Sequence, residues 1–182
     1  MDKTLYRKIL TYVPIFKNLS PQELEAIIRI SRLLKVKAGV TVVEEGEKAS
    51  AMYIMVEGQA RVFKRLGTGE ITQLAHLKSP TVFGELSLID ESPRSASVVT
   101  TKDSIVYQVD LEKFNELRHS YHPAAFKVLR EIAPMICTRM RQIGDRIGDF
   151  FSNPTHEIGE LVGDLSSNAQ QYSAVKQETR EE

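Results

Sequence analysis

Residues 83–98 read Phe-Gly-Glu-Leu-Ser-Leu-Ile-Asp-Glu-Ser-Pro-Arg-Ser-Ala-Ser-Val. Apolar residues anchor both ends, Phe83 and Val98, and the middle is polar. Gly84 lets the backbone approach a bound group closely because no Cβ intervenes. A helical turn beginning near Glu85 leaves its first N–H groups, toward Ser87, without intrahelical partners. Arg94 is able to fork two N–H bonds onto an oxyanion, and Ser95 adds a hydroxyl donor. Glu85 would repel an anion, so its place is beside a sugar, accepting from a hydroxyl. Pro93 fixes its own φ and restricts Ser92, which sets the approach of Arg94. The loop therefore suits a molecule that carries both a phosphate and a ribose. A plain turn with a surface ion pair uses the same residues and is worth little.

The stretch resembles the phosphate-binding cassette of the cyclic-nucleotide-binding domain family, in which Phe-Gly-Glu, a short apolar segment, then Pro-Arg, a small residue, Ala and Ser or Thr recur. Upstream, Glu45-Gly46-Glu47, Tyr53-Ile54, Glu57-Gly58 and Val62 resemble the first hairpins of that family. The resemblance covers about residues 10 to 150. It implies an α+β fold: an antiparallel, jelly-roll-like β-roll flanked by N-terminal helices and a long C-terminal helix. It implies a cyclic nucleotide as ligand, held by Gly84, Glu85, Leu86, Ser87, Arg94 and Ser95. Leu86 would lie below the sugar. Val43, Val62, Leu74 and Leu77 would line an apolar base pocket, although a core role explains the same four residues.

Composition narrows the classes. The 182 residues carry 24 basic and 24 acidic side chains, so no strongly basic nucleic-acid face is expected. A single cysteine, Cys137, excludes an intramolecular disulfide and fits a reducing, cytoplasmic setting. No apolar run has the length of a membrane span, and the opening residues break before a signal-peptide core forms. Of the four histidines, at 76, 119, 122 and 156, only His119 and His122, three apart across an expected helix end, approach a metal-ligand spacing, and a zinc site there is not expected. No nucleophile–base motif is evident, so neither a catalytic nor a metal site is expected. Leu66-Gly67-Thr68-Gly69 has no Gly-Lys-Ser/Thr after it and reads as a hairpin tip.

Along the chain, residues 3–13 predict a short helix that Pro14 breaks. Ser20-Pro21-Gln22-Glu23 is a helix start with a capping box, followed by Leu24, Ile27, Ile28 and Ser31 on one face. From Leu33 to Val109, runs rich in Val, Ile, Tyr and Thr alternate with glycine turns. Strands are expected at 42–43, 53–56, 61–64, 71–77, 97–101 and 105–109. Asp110 caps a helix over 111–119. A longer helix follows His122-Pro123 toward Phe151, with Phe126, Leu129, Ile132, Ile136, Met140, Ile143, Ile147 and Phe150 as its apolar positions and Pro134 as an expected kink or restart. A second amphipathic stretch, Ile158, Leu161, Val162 and Leu165, precedes a polar tail whose composition predicts disorder. The division is 1–32 N-terminal helices, 33–110 nucleotide-binding roll, 111–152 C-terminal helices, and 153–182 short helix and tail.

A roll covers only one side of so long a helix, so a second copy of the chain is expected against its stripe. In the catabolite-activator branch the long helix dimerises and reaches over the base. By resemblance Arg139 pairs with Glu85; a solvated face is the alternative. Where that branch carries adjacent hydroxyl residues at the base, this chain has Ile143 and Gly144, and Ser95 leans toward cAMP over cGMP. About thirty residues follow the helix, too few and too neutral for the branch's DNA-binding domain, so DNA is an unlikely partner. The expected function is a cyclic-nucleotide sensor that relays occupancy through the long helix to a partner protein. The alternatives are a ligand-free β-roll adaptor or a transcription regulator lacking a recognisable DNA-binding domain.

Overall fold

The computed structural model describes residues 8–90 and 92–152. Residues 3–7 of the first expected helix and the whole stretch from Ile158 to Leu165, with the tail after it, lie outside them. Residues 8–10 are helical, and the chain then makes a 3-10 turn at Pro14–Phe16. Helix α1, Pro21–Arg29, opens on the expected capping box: the Ser20 hydroxyl accepts from the Glu23 N–H, and the Glu23 carboxylate accepts from the Ser20 N–H.

Eight strands form two antiparallel four-stranded sheets. One has the order β1 (Ser31–Val36), β8 (Ser104–Asp110), β3 (Ala51–Glu57), β6 (Thr81–Phe83). The other runs β2 (Thr41–Val43), β7 (Ser97–Thr100), β4 (Gln59–Arg65), β5 (Ile71–Lys78). Two strands were not expected. Ser31 does not continue α1 but starts β1, its hydroxyl donating to the Ile27 carbonyl, and six residues pair with β8. β6 is three residues long and is held by pairing with Tyr53, Ile54 and Met55. Neither Arg-Leu-Leu-Lys-Val nor Thr-Val-Phe alternates clearly enough to be read locally.

Strand β3 organises the interior because its successive side chains point to opposite faces. Met52, Ile54 and Val56 meet the helices in one cluster with Ile105, Tyr107, Val109 and Phe114. Ala51, Tyr53 and Met55 face the inside of the roll with Val43, Ala60, Phe83, Val98 and Val106. At the β3–β4 turn, Gly58 has φ +110°, and a Cβ there would stand 2.0 Å from the Ser104 hydroxyl. Only glycine fits.

Helix α2 is the single turn Ser87–Asp90. Helix α3, Leu111–His119, is capped by the Asp110 carboxylate, which accepts from the Lys113 N–H. Helix α4 runs Pro123–Ser152 and continues through Pro134 without restarting; the Thr138 hydroxyl donates to the Pro134 carbonyl. Its first half packs on the helical core through Ala124, Ala125, Val128 and Ile132, all fully buried, with Leu129, Met135 and Ile136 beside them. Burial of Val128 and Ile132 stabilises by about 1.5–3 kcal/mol each. Phe126, the first apolar position of the expected stripe, is half exposed and stacks on Tyr121, because the narrow contact with the 3-10 turn and α1 selects small residues. Ion pairs tie the same half down: Lys127 to Glu23 at 2.8 Å and Glu131 to Lys17 at 2.7 Å. Past Pro134, Met140, Ile143, Ile147 and Phe151 are exposed; the Phe150 side chain is outside the described set.

Candidate functional site: the 84–94 loop and its helix latch

The 83–98 stretch leaves β6 at Phe83, makes α2 and returns into β7 at Ser97. Phe83 stacks on Tyr53 with ring centroids 5.2 Å apart, so the loop starts from a rigid aromatic pair in the roll. Gly84 has φ +68°, and a Cβ there would lie 2.7 Å from Arg94 Nη1. Glycine is required twice at this position, for its backbone and for the guanidinium it lets in.

Arg94 is turned into the roll and is only 9% exposed. Its Nη2 donates to the Ala51 carbonyl at 2.5 Å. Its Nη1 donates to the Gly84 carbonyl and the Ser87 hydroxyl, each at 3.3 Å. The guanidinium carbon sits 5.7 Å from the centre of the Tyr53 ring, within cation–π range. Three of the five guanidinium N–H donors are thus engaged, and the Ser87 hydroxyl donates onward to the Gly84 carbonyl. Burial pushes the Arg94 pKa down, while Tyr53 and Glu47 hold it up. A desolvated cation of this kind is a strong partner for an anion.

Glu85 is 2% exposed, and its carboxylate accepts from Arg139 Nη1 across the gap to α4. The expected pairing is present. The first α2 bonds run from Leu88 N–H to the Glu85 carbonyl and from Ile89 N–H to the Leu86 carbonyl, so the N–H groups of Glu85, Leu86 and Ser87 precede them.

The backbone of Arg94 is gripped from the β2–β3 turn: Gly46 N–H donates to the Arg94 carbonyl and Arg94 N–H to the Glu47 carbonyl, both at 2.9 Å. The Glu45 carboxylate accepts from Lys64 Nζ at 3.0 Å and from the Arg65 N–H at 2.8 Å. Burial alone would raise its pKa, but those two donors outweigh it and hold Glu45 below its ordinary value.

Val43, Val62 and Leu77 share the inner cluster with Tyr53, Phe83 and Val98, beside the Arg94 ring contact. Leu74 does not join them. The β4–β5 register passes from Val62↔Ala75 to Phe63↔Gln73, which leaves Leu74 as the extra residue of a bulge, 50% exposed. Leu86 is partly buried, Ser95 is exposed, and Ile143 stands a helical turn beyond Arg139, 58% exposed. Two cavities, of about 380 Å³ between Glu45 and Ile71 and about 620 Å³ between Pro21 and His122, lie elsewhere; neither is lined by Gly84, Glu85 or Arg94. Sequence reasoning missed Ala51 and Tyr53 as partners of Arg94. A carbonyl leaves no mark in a sequence, and Tyr53 reads as an ordinary strand residue. Among the described residues, no group of three or more His, Cys, Asp or Glu side chains is placed to hold a metal, and no helix is long and apolar enough to cross a membrane.

Residues 33–121 match the family described as cyclic nucleotide-binding domain. Those residues, which span the roll and α3, are a domain of that family. It is 33% identical over 115 residues to the cAMP-dependent protein kinase regulatory subunit of Aspergillus fumigatus, covering 63% of this chain and 27% of that one. It is 23% identical over 165 residues to the CRP-like cAMP-activated global transcriptional regulator of Mycobacterium tuberculosis, covering 91% of this chain and 71% of the other. The crystal structure of the Thermus thermophilus catabolite activator protein superposes with a TM-score of 0.64 at 27% identity, over 76% of this chain and 63% of that one. The chain spans about a quarter of the length of the kinase regulatory subunit. Residues 83–98 lie inside the matched segment.

Proposed function

We propose that this chain is a cyclic-nucleotide sensor, for cAMP over cGMP, whose roll (residues 33–110) takes the ligand and whose α4 relays occupancy to a partner protein. One observation carries the reading: a buried Arg94 guanidinium stands beside Gly84, and the next residue, Glu85, is tied to Arg139 in α4. An equatorial phosphate oxygen would take the remaining guanidinium donors and the first α2 N–H groups. A ribose hydroxyl would compete with Arg139 for Glu85. The base would lie toward Val43, Val62 and Leu77, with Ser95 at the loop's rim and Ile143 on the helix above. Leu74 sits on the bulge and would reach the base only if β5 shifts.

The relay follows from how α4 is held. Its first half is buried and ion-paired, whereas past Pro134 the Arg139–Glu85 contact joins it to the cassette. A ligand that binds one arrangement better shifts the helix toward it by that difference in affinity and no more. Exposed Met140, Ile143 and Ile147, with open space at Gly144 and Gly148, support a homodimer along this stripe. The role is non-catalytic and cytoplasmic, without metal.

A second reading, an adaptor that keeps the roll without a ligand, is favoured by the Arg94 donors already engaged with Ala51 and Gly84. Thermal melts against cAMP, cGMP and other cyclic nucleotides separate the two. A ligand at 100 times its Kd stabilises by about 2.7 kcal/mol, and a flat panel selects the adaptor.

A further inference from the structure

The distal end of the 84–94 loop is held by a set of hydrogen bonds from the 45–47 turn and strand β4. The cavity of about 380 Å³ lies beside it, lined by Glu45, Phe63, Lys64 and Ser97 among others. These bonds fix where Arg94 leaves the backbone. Lys64 Nζ donates to the Ser95 carbonyl at 2.8 Å while holding Glu45. The Glu45 N–H donates to the Ser97 hydroxyl at 3.0 Å, and Gly46 and Glu47 take both backbone groups of Arg94. Residues 94, 95 and 97 are thus each bonded to the 45–47 turn or to Lys64, and the Glu45 carboxylate, accepting from Lys64 and from the Arg65 N–H, fastens that turn to strand β4.

We propose that Lys64 and Glu45 form a clamp that positions Arg94 for the phosphate, so that both are positioning residues for nucleotide binding. The proposal rests on the sensor reading above. An isolated ion pair at this exposure would be worth little. This pair differs because its ammonium also bonds a cassette carbonyl one residue from the guanidinium-bearing position. Losing it frees the Ser95 peptide and, through that peptide, the direction of the Arg94 side chain.

A double-mutant cycle tests this. Affinity for cAMP is measured by calorimetry for the unaltered protein, Lys64→Met, Lys64→Arg, Arg94→Ala and the Lys64→Met/Arg94→Ala pair, with ligand-free melting alongside. Lys64→Met is expected to weaken cAMP binding about three- to tenfold, Lys64→Arg to restore most of it, and Lys64→Met to change affinity less than about twofold once Arg94 is absent. Glu45→Gln carries the same comparison if Lys64→Met does not fold. Unaltered affinity in Lys64→Met, or the same loss with and without Arg94, overturns the clamp while leaving the sensor intact. An unaltered protein that binds no cyclic nucleotide overturns the sensor reading, and the clamp with it.

Discussion

Replacing Gly84 with alanine is the sharpest single perturbation of this site, because it acts on backbone and guanidinium together. At φ +68° an L side chain costs about 1–2 kcal/mol in the left-handed region. The new Cβ would also stand 2.7 Å from Arg94 Nη1 and 3.5 Å from its Cζ. The tip of an arginine usually moves aside at little cost. Here it is buried and bonded to Ala51, Gly84 and Ser87, so moving it breaks those contacts or unseats it from Tyr53. The ligand-free protein should lose about 1–2 kcal/mol, a melting shift of about 2–8 °C at this size. Nucleotide affinity should fall by about 1.5–3 kcal/mol, the worth of a hydrogen bond to a charged group, since the phosphate would lose its aligned cation. Gly84→Ala should therefore bind as poorly as Arg94→Ala, and the double variant little worse than either. Scanning calorimetry gives the first quantity and titration calorimetry the second. A Gly84→Ala protein that melts and binds cAMP as the unaltered one does would refute the placement of the guanidinium.

Arg139→Ala leaves the Glu85 carboxylate, 2% exposed, without its cation. Because Arg139 itself is half exposed, the expected loss is about 1–3 kcal/mol, and amide exchange should quicken in α4 after Pro134 but not before it. Ser20→Ala removes half of the α1 capping box and should cost about 1 kcal/mol by chemical denaturation, leaving nucleotide affinity untouched. Glu23 is held below its ordinary value of 4.5, chiefly by the Lys127 hydrogen bond, and Glu131 likewise by Lys17. Folded pKa values below unfolded ones mean that this stability is present above about pH 4.5 and is lost as pH falls through the folded values. Glu23→Gln should flatten that acid limb in denaturation curves taken between pH 3 and 6, while the curve near pH 7 keeps its slope.

The parts of this fold that were legible in the sequence are those with a local physical cause. The Ser20 capping box, the Asp110 cap and the hairpin glycines punctuate the chain, and β3, β4, β5 and β8 are long and bounded by turns. The 83–98 loop stood out because Gly84, Glu85, Pro93 and Arg94 are special for what they do individually, and the Glu85–Arg139 pair was anticipated through the family resemblance. What escaped depends on distant chain. β1 and β6 exist because β8 and β3 offer edges to pair with. The bulge at Leu74 shifts register without any glycine to announce it. The inward face of α4 uses Ala124 and Ala125, whose small size matters only against the 3-10 turn and α1. The engagement of Arg94 by the Ala51 carbonyl belongs to the same class, and it decides how the cation is presented.

The most direct measurement is a pair of cAMP titrations followed by calorimetry, one into the unaltered protein and one into Arg94→Ala. The account predicts saturable one-site binding in the first and an affinity lower by about 1.5–3 kcal/mol in the second. Equal affinities, or no heat of binding in the unaltered protein, would contradict it.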